Sequence, residues 1–314
     1  MKKFEAYKGR SVAVTGGGGF IGHHLLRILS SYSSRVSSVG GFSSSEKTAL
    51  NARRFYGRVT QQLLESLPEK PEIIFHLAGG SSVTRSIENP RQDFELTVQG
   101  VFEVLEYLRV RNPECRLVHI SSAAVYGQSA GSNDGSKENT LRPISPYGVH
   151  KMLSEQLCEY YSRTAGLKIV IVRPYSVYGP GLRKQLLWDA LQKADCDRCA
   201  FFGTGDEIRD WVYVEDLSRL LLYAGIESFD TGISVIDAGT GLGTSVKEIL
   251  TMLFECYGKE IRPTFLGKAR LGDPDILIAP SGRWSAVTRE FLTTELRQGL
   301  QRYVGWYRQE KGRC

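Results

Sequence analysis

The sequence of 314 residues lacks long hydrophobic runs and long runs of one charge. No apolar stretch approaches the roughly 18 residues that a membrane-spanning helix needs, and the first residues do not resemble a signal peptide. The formal net charge of +6 comes from 40 Lys and Arg against 34 Asp and Glu, spread along the chain. Because no basic run with interleaved aromatics occurs, a nucleic-acid partner is not expected. We therefore expect a cytoplasmic protein with neither a membrane nor a nucleic-acid partner.

Cysteine is also scarce, and its spacing does not indicate a metal site. The six Cys residues are scattered. Cys196 and Cys199 form one C-x-x-C pair, without a second Cys or His pair at zinc-ligand spacing. In a reducing cytosol the six side chains are most simply free thiols. The sequence thus predicts no metal.

The first half of the chain does contain a clear alternation of apolar strands and helical patterns. Between the strands lie helical stretches at about 20–31, 91–110 and 147–165. Continuous apolar strands separated by helices of this length indicate a parallel sheet that is covered on both faces. We expect an α/β fold with a Rossmann-like doubly wound parallel sheet. The strand-forming runs are 11–16, 35–40, 72–78, 116–122 and 168–174.

The pattern changes in the second half, where no regular strand–helix repeat is visible. Glycine and proline cluster at 175–181 and 201–207. We expect a dinucleotide-binding domain over 1–175, with a return segment near 208–238, and a smaller C-terminal substrate-binding lobe over 176–314.

A glycine-rich turn follows the first strand directly. Its four consecutive glycines fit G-x-G-x-x-G from Gly17 and also G-x-x-G-x-x-G from Gly16. Such glycines permit a tight turn and let the backbone approach a pyrophosphate at the helix N-terminus. Because the turn stands between the first strand and a helix, it predicts a dinucleotide site. Its predicted cofactor-binding residues are Gly16, Gly19, Phe20, Ile21 and Gly22.

No acidic residue stands at the end of the second strand, where NAD-binding proteins usually hold the ribose hydroxyls. The strand ends in Gly40-Gly41, and the loop that follows contains Ser43, Ser44 and Lys47. The strand itself ends without a carboxylate that would repel a 2′-phosphate, and these three side chains are able to bind one. The cofactor is therefore expected to be NADP or NAD, with NADP favoured; the alternative is a loop that makes no ribose contact.

Tyr147 and Lys151 are four residues apart at the start of a predicted helix, which places both on one helical face. A free tyrosine titrates near about 10, and a neighbouring ammonium is expected to lower its pKa. The same lysine can bind the nicotinamide ribose. The strand 116–122 ends in Ser121 and Ser122, and a hydroxyl there can share the reacting substrate oxygen with Tyr147. These residues predict a proton-transfer site next to the dinucleotide.

Taken together, these motifs resemble the extended short-chain dehydrogenase/reductases, the NAD(P)-dependent nucleotide-sugar epimerase/dehydratase family. The resemblance covers nearly the whole chain in the family's order. It implies a nucleotide-sugar substrate, a homodimer and a catalytic trio of Ser122, Tyr147 and Lys151. The segments that carry it are 15–22, 76–83, 121–127, 145–151, 173–181, 203–217 and 299–308.

The resemblance also implies further contacts with cofactor and substrate. Arg209 and Arg270 resemble the pair that grips the substrate diphosphate, and Leu277 takes the position that admits or excludes an N-acetyl group. The intermediate size of Leu277 indicates that a 2-acetamido sugar is accepted. The remaining implied residues are Ala78, Gly79, Gly80, Tyr147, Lys151 and Pro174 for the cofactor and Ser82, Val83, Ser122 and Ser176 for the substrate.

Several residues depart from the family pattern. Arg58 stands where relatives often carry an acid that contacts adenine, and Thr97 and Ser176 replace asparagines. The 4,6-dehydratases follow their serine or threonine with Asp-Glu, whereas Ala123 and Ala124 stand in this chain. Sugar dehydration is therefore disfavoured, because no acid is present to protonate the leaving hydroxyl.

Three functions remain open from the sequence. The first is a redox enzyme acting on C4 of a nucleotide-linked sugar, a nucleotide-sugar 4-epimerase. The second is an NADPH-dependent 4-ketoreductase of a nucleotide-linked deoxysugar, which the missing ribose acid favours. The third is a catalytically silent dinucleotide-binding sensor, against which the intact Tyr-Lys pair argues. The frequency of epimerases within the family favours the first.

Overall fold

The computed structural model describes residues 2–33, 35–41, 52–129, 141–196, 199–227, 232–268, 272–280 and 285–312. The chain divides into two compact units. The first comprises Met1–Val125, Ser145–Arg173 and Ser218–Ile236, and the second comprises Tyr126–Ile144, Pro174–Leu217 and Asp237–Cys314.

This division differs from the expected domains in two places. Residues 126–144 belong to the second unit, although they fall within the dinucleotide-binding domain expected over 1–175. The chain returns to the first unit at 218–236, a shorter segment than the one expected near 208–238. The lobe expected over 176–314 is interrupted by this return.

A seven-stranded sheet organises the first unit, and the order of its strands is β10-β6-β5-β4-β1-β2-β3. Neighbours from β6 to β3 pair in parallel. The chain moves outward from β1 through β2 to β3 and then crosses to β4 on the other side of β1. The carboxyl ends of β1 and β4 therefore flank the topological switch point, where doubly wound sheets bind ligands. The strands are β1 Val12–Thr15, β2 Val36–Gly40, β3 Ala52–Tyr56, β4 Ile73–His76, β5 Arg116–Ile120, β6 Lys168–Pro174 and β10 Ile233–Ala238.

The longer helices of the first unit cover this sheet, and α5, Gly100–Arg111, does so with an apolar face. In α5, the buried Val101, Val104, Leu105 and Leu108 recur at three- and four-residue spacing. The helix that carries Tyr147 begins after Ser145, whose side chain accepts a hydrogen bond from the Gly148 amide. The helices are α1 Phe20–Leu29, α2 Gln61–Glu65, α3 Val83–Glu88, α4 Pro90–Phe94, α5 Gly100–Arg111, α6 Pro146–Ala165 and α8 Val214–Ile226.

The predicted fold class is confirmed, but some elements differ from the sequence prediction. The single helix expected over 91–110 is divided into α4, a π-helical turn at Glu95–Gln99, and α5. Strand β3 was not predicted, because its sequence ARRFY has little apolar character and it lies at the edge of the sheet. Strand β10 was not predicted as a strand either, although it begins within the return segment.

The second unit contains a small sheet centred on β9 Ile208–Tyr213, which pairs with β7 Ser176–Tyr178, β11 Gly243–Ser245 and β13 Ile276–Leu277. A further short pair joins β8 Ala200–Phe201 to β12 Thr264–Phe265. The helices are α7 Gln185–Asp195, α9 Val246–Tyr257, α10 Ser285–Phe291 and α11 Leu296–Lys311. Within the described part of the chain, no helix is both long and apolar enough to cross a membrane.

Candidate active site

The glycine turn after β1 is packed so closely that it has no room for side chains. Gly16 has φ +71°, and its amide donates to the Val39 carbonyl at 2.8 Å. A Cβ on Gly16 would lie 2.6 Å from the Ala78 nitrogen, and one on Gly22 would overlap with the Gly16 carbonyl oxygen. Because the left-handed residue is Gly16, the turn follows the G-x-x-G-x-x-G spacing from Gly16.

The start of α1 has the properties of an anion site. Gly19 is the N-cap, and no side chain caps the helix. Phe20, Ile21 and Gly22 form its first turn, in which backbone amides have no partner within the helix. This helix start lies beside the sheet's switch point. The turn therefore fits the pyrophosphate of a dinucleotide, which would accept hydrogen bonds from these amides.

The segment after β4 leads from the glycine turn to the catalytic residues. Thr15 Oγ1 accepts a hydrogen bond from the Ala78 amide at 3.3 Å. Gly79 has φ +149°, and a Cβ at this position would lie 3.5 Å from Lys151 Nζ. The Gly80 amide donates to Thr97 Oγ1 at 2.9 Å. Thr97, which replaces the family's asparagine, thus anchors the backbone of this segment from the π-helical turn.

The structure brings Ser122, Tyr147 and Lys151 together at the carboxyl end of β5. The Tyr147 and Ser122 side chains are hydrogen-bonded to each other. Lys151 Nζ lies 5.9 Å from the centroid of the Tyr147 ring and donates to the Ile120 carbonyl at 2.9 Å. Ser122 Oγ also accepts from the Ala124 amide at 3.2 Å, which fixes its orientation. The three residues are arranged for proton transfer to or from a substrate hydroxyl.

The expected lowering of the Tyr147 pKa by Lys151 is wrong for the protein alone. Burial raises the Tyr147 pKa, and the hydrogen bond with Ser122 only partly opposes this, while the Asp93 charge adds to the rise. Burial also lowers the pKa of Lys151 to about 8, with Asp93 and Glu155 acting in the opposite direction. The physical reason is that both charged forms lose water, and the ammonium is directed to the Ile120 carbonyl.

Two buried histidines beneath Lys151 were not identified from the sequence. The His76 and His119 rings stack at 5.5 Å between centroids on adjacent strands β4 and β5. Burial and the Lys151 charge lower the pKa of His76 to about 3 and that of His119 well below its usual range. His119 Nε2 lies 2.9 Å from Ser154 Oγ, which donates to the Lys151 carbonyl. A histidine within an apolar strand was the only available signal.

The first of the predicted substrate contacts lie at the start of α3. Ser82 is the N-cap of this helix, and its side chain accepts from the Arg85 amide at 3.3 Å. Val83 is the first helical residue, and its carbonyl accepts from Ser86 Oγ. Ser86 Oγ in turn accepts from the Tyr147 amide at 3.0 Å. Ser82 and Val83 are thus linked through Ser86 to the start of α6, the helix that carries Tyr147 and Lys151.

The remaining predicted substrate residues lie in the second unit. Arg209 and Leu277 are register partners in β9 and β13. Arg209 Nη1 donates to the carbonyls of Ile208 at 2.9 Å and Asp275 at 3.3 Å, and burial lowers the Arg209 pKa. Ser176 pairs with Trp211 of the same strand β9. The predicted substrate residue Arg270 lies outside the described residues.

Of the predicted cofactor residues, Pro174 is the last residue of β6. Ser43, Ser44 and Lys47 lie outside the described residues.

The adenosine end of the predicted cofactor site contains no carboxylate at the end of β2. Gly40 has φ +141°, and a Cβ on it would lie 3.4 Å from the Gly16 nitrogen. Its register partner in β3 is Tyr56, and Arg58 follows two residues later. The Arg58 side chain is 70% exposed and lies 3.5 Å from Glu95. Among the residues that the structure describes, no group of three or more His, Cys, Asp or Glu residues is placed to hold a metal ion.

Comparison with known proteins agrees with this geometry. The model of the NAD dependent epimerase/dehydratase family matches residues 12–234. A putative UDP-glucose 4-epimerase of Methanocaldococcus jannaschii is 28% identical, over 94% of this chain and 97% of the relative.

Two solved structures share the fold along nearly the whole chain. The UDP-glucose 4-epimerase of Thermotoga maritima, solved with UDP-glucose, has a TM-score of 0.84 at 27% identity. The match covers 96% of this chain and 99% of the Thermotoga chain. The UDP-glucose 4-epimerase of Thermus thermophilus, solved with NAD, has a TM-score of 0.79 at 25% identity. The match covers 95% of this chain and 99% of the Thermus chain. The predicted family and the prediction of an NAD(P)-dependent enzyme are confirmed. The chain belongs to the NAD dependent epimerase/dehydratase family.

Proposed function

We propose that this chain is a nucleotide-sugar 4-epimerase whose substrate is a UDP-linked hexose. The observation that carries the proposal is the contact of Ser122, Tyr147 and Lys151 beside Gly79, at the same sheet edge as the glycine turn. The named relatives support it, because the two solved structures and the archaeal sequence are UDP-glucose 4-epimerases or a putative one. The 4-epimerase is also the first of the functions that the sequence predicts.

In this reaction Tyr147 moves the proton of the sugar's 4-hydroxyl. As the C4–H bond breaks, Tyr147 takes the O4 proton, and Ser122 donates a hydrogen bond to the same oxygen. A 4-ketone results. When hydride returns to the opposite face of C4, Tyr147 gives the proton back and the 4-epimer forms. The turn Gly16–Gly22, Ala78 and Gly79 would hold the dinucleotide, which when bound would supply the acceptor and donor of that hydride.

The surroundings of Ser122 disfavour the dehydratase reaction. Ala123 and Ala124 follow it in a short 3-10 turn, Ala123–Val125, and Ala123 is buried. Neither side chain can protonate a leaving hydroxyl at C6. The 4-ketone therefore has one productive outcome at this site, which is reduction back to an alcohol.

A finer part of the proposal is a preference for NADP(H). Its support is the glycine at position 40, which leaves the end of β2 without a carboxylate, and the exposed Arg58 just after the neighbouring strand β3, whose guanidinium lies 3.5 Å from Glu95. Calorimetric titration with both dinucleotides tests it, and tighter binding of NAD(H) would contradict it. Gly41→Asp should shift the preference towards NAD(H). Gly41 is the better site for this test because no atom lies within 4 Å of its added Cβ, whereas Gly40 has a φ that strains any side chain.

Substrate binding by Arg209 and Leu277 is also proposed. Because Leu277 and Arg209 are register partners, one strand pair offers a guanidinium for the diphosphate and an apolar side chain of intermediate size for the group at C2. Arg209→Ala should weaken UDP binding by roughly 1.5–3 kcal/mol. Wild-type affinity for UDP in this variant would remove Arg209 from the site. A 2-acetamido sugar that is not turned over would remove the role of Leu277.

A homodimer completes the proposal. Phe102 of α5 is 43% exposed and Tyr160 of α6 is 53% exposed. Both rings contact Tyr161 edge to face, so these helices present one aromatic surface that water covers in the monomer. Aromatic residues are enriched in interfaces between subunits.

Product analysis tests the enzyme activity directly. The protein is incubated with UDP-glucose or UDP-N-acetylglucosamine and a small amount of dinucleotide, and the sugar is analysed by NMR. We expect the 4-epimer without net oxidation or reduction of the dinucleotide. Stoichiometric consumption of NADPH with a nucleotide-linked 4-keto-deoxysugar would instead establish the 4-ketoreductase.

A further inference from the structure

Asp93 and His150 form a buried polar pair next to the catalytic helix. His150 Nδ1 lies 2.6 Å from Asp93 Oδ2, and the side chains of His150 and Asp93 are 11% and 6% exposed. Asp93 lies on α4. His150 lies on α6, three residues after Tyr147 and directly before Lys151, so the catalytic face of the helix includes it. The reaction described above uses neither residue.

The second carboxylate oxygen of Asp93 faces the backbone that borders the cofactor site. A Cβ on Gly80 would overlap with Asp93 Oδ1 and would lie 3.1 Å from Thr97 Oγ1. The Gly80 amide donates to that threonine oxygen at 2.9 Å. The carboxylate is therefore enclosed between α6 and the segment after β4, and Gly80 is the residue that leaves room for it.

The orientation of the His150 ring is fixed on two sides. Nδ1 contacts the Asp93 carboxylate, and the Phe94 ring lies against the imidazole edge to face, with centroids 5.5 Å apart. A buried carboxylate is costly unless donors stabilise its charge. His150 supplies such a donor, so the pair keeps one negative charge inside this part of the first unit.

We propose that His150 and Asp93 are positioning residues: His150 holds the Asp93 carboxylate in place against Gly80, and that charge keeps the buried Lys151, whose Nζ lies against the adjacent Gly79, an ammonium ion. The inference rests on the proposed function, because the ammonium form of Lys151 matters there for binding the dinucleotide and supporting the Tyr147 phenolate. Its test needs only dinucleotide binding and is therefore separable from turnover of a sugar.

The direction of the effect follows from the charges around Lys151. Burial lowers the Lys151 pKa to about 8, and Asp93 and Glu155 raise it. Asp93 also raises the pKa of Tyr147. Removing the Asp93 charge should therefore lower both pKa values. The titratable and charged groups around Lys151 in the described residues are Asp93 of α4, Tyr147, Glu155 and Cys158 of α6, His76 of β4 and His119 of β5, with Glu155 paired to Arg173.

The experiment measures dinucleotide affinity by calorimetry across pH in the full-length protein. In Asp93→Asn, which keeps the shape and removes the charge, the alkaline midpoint of binding should fall by about one pH unit. His150→Leu should lower the midpoint in the same direction but by less, because the carboxylate keeps its charge and loses only the contact that holds it in place. His150→Asn should keep the wild-type midpoint, because its amide offers an N–H near the position of Nδ1. If turnover is detected, both limits of the kcat/KM profile should move to lower pH in Asp93→Asn.

Tyr7→Phe is the matched control, since it removes a buried 2.6 Å hydrogen bond to the Leu222 carbonyl away from this site. It should lower stability and leave the midpoint unchanged. A midpoint within about 0.2 pH unit of wild type in Asp93→Asn overturns the proposal. If Asp93→Asn fails to fold, the two His150 variants decide: equal midpoints in His150→Leu and His150→Asn overturn it. Dinucleotide binding with the expected shifts but no epimer formation contradicts only the proposed function.

Discussion

At the scale of single residues, the proposed chemistry depends on Tyr147. Its phenol is hydrogen-bonded with Ser122 and lies beside Lys151. In the protein alone, burial raises its pKa. If the dinucleotide binds as proposed, the positive charge of its oxidised nicotinamide would favour the phenolate and oppose this rise.

Tyr147→Phe should reduce epimerisation by about a hundred- to ten-thousandfold, which is the usual contribution of a general acid–base group. Dinucleotide affinity should remain nearly unchanged, because the ring is kept. Initial rates and calorimetric titration measure the two quantities, with Tyr7→Phe as the control tyrosine. Turnover within a factor of two of wild type would remove Tyr147 from the mechanism.

The sequence was most informative about single residues where a motif has a fixed spacing. Tyr147 and Lys151 were predicted from a four-residue spacing and Ser122 from its place at the end of a strand, and the structure brings the three side chains together. The direction in which the Tyr147 pKa shifts was not predicted correctly from the sequence, because it depends on how much water the folded chain removes from the phenol. Asp93 and His150 lie far apart in sequence and belong to no motif, so only the fold brings them together.

At the scale of elements, the glycine turn and the start of α1 are closely packed, and we propose that they bind the pyrophosphate. Gly22 packs against the Gly16 carbonyl, and Gly17 packs against Ser38 of β2. The spacing of these glycines predicted the turn, but two glycine patterns fitted equally well. The left-handed φ of Gly16 decides between them. That angle depends on the contact with the end of β4.

Gly22→Ala should abolish detectable dinucleotide binding or unfold the first unit, because the new methyl would overlap with backbone that cannot move aside. Gly305→Ala in α11 is the matched control, since no atom lies within 4 Å of its added Cβ. An alanine there should raise stability by about 0.5–1 kcal/mol. Thermal unfolding measures the stability of the two variants, and calorimetric titration measures their dinucleotide affinity. Wild-type affinity in Gly22→Ala would show that the turn does not hold the cofactor.

Strands β4 and β5 bury a histidine pair, and this makes the stability depend on pH. The pKa of His76 falls to about 3 on folding, so the unfolded chain binds its proton first as the pH decreases. The free energy of unfolding should be highest above about pH 6.5 and should fall as the pH decreases towards 3. Urea unfolding at several pH values measures the slope. His76→Asn should flatten it, and an unchanged slope would show that His76 titrates normally.

At the scale of the whole molecule, sequence order predicted the fold class better than the division into units. The parallel sheet follows from apolar strands that alternate with helices. The assignment of 126–144 to the second unit has no such signal, because it depends on contacts between distant parts of the chain. The unpredicted edge strand β3 has the same cause, since its pairing with β2 outweighs its polar sequence.

The proposed homodimer has its own prediction. Replacing Phe102 or Tyr160 by Glu should turn a dimer into a monomer, because a charge would be buried in an aromatic surface. Leu242→Glu is a control, since Leu242 is 73% exposed and lies on neither α5 nor α6. Light scattering coupled to size exclusion measures the mass. A wild-type protein that is monomeric at micromolar concentration would contradict the proposal.

The central claim is that Tyr147, Ser122 and Lys151 support reversible oxidation at C4 of a nucleotide sugar. The most direct measurement is the fate of the hydrogen on C4. UDP-glucose carrying deuterium at C4 is incubated with the protein and unlabelled dinucleotide, and the product is examined by NMR and mass spectrometry. We predict the 4-epimer with deuterium still on C4, because the hydride returns to the carbon that it left. A 4-epimer without the deuterium, or no 4-epimer from any UDP-hexose, would contradict the account.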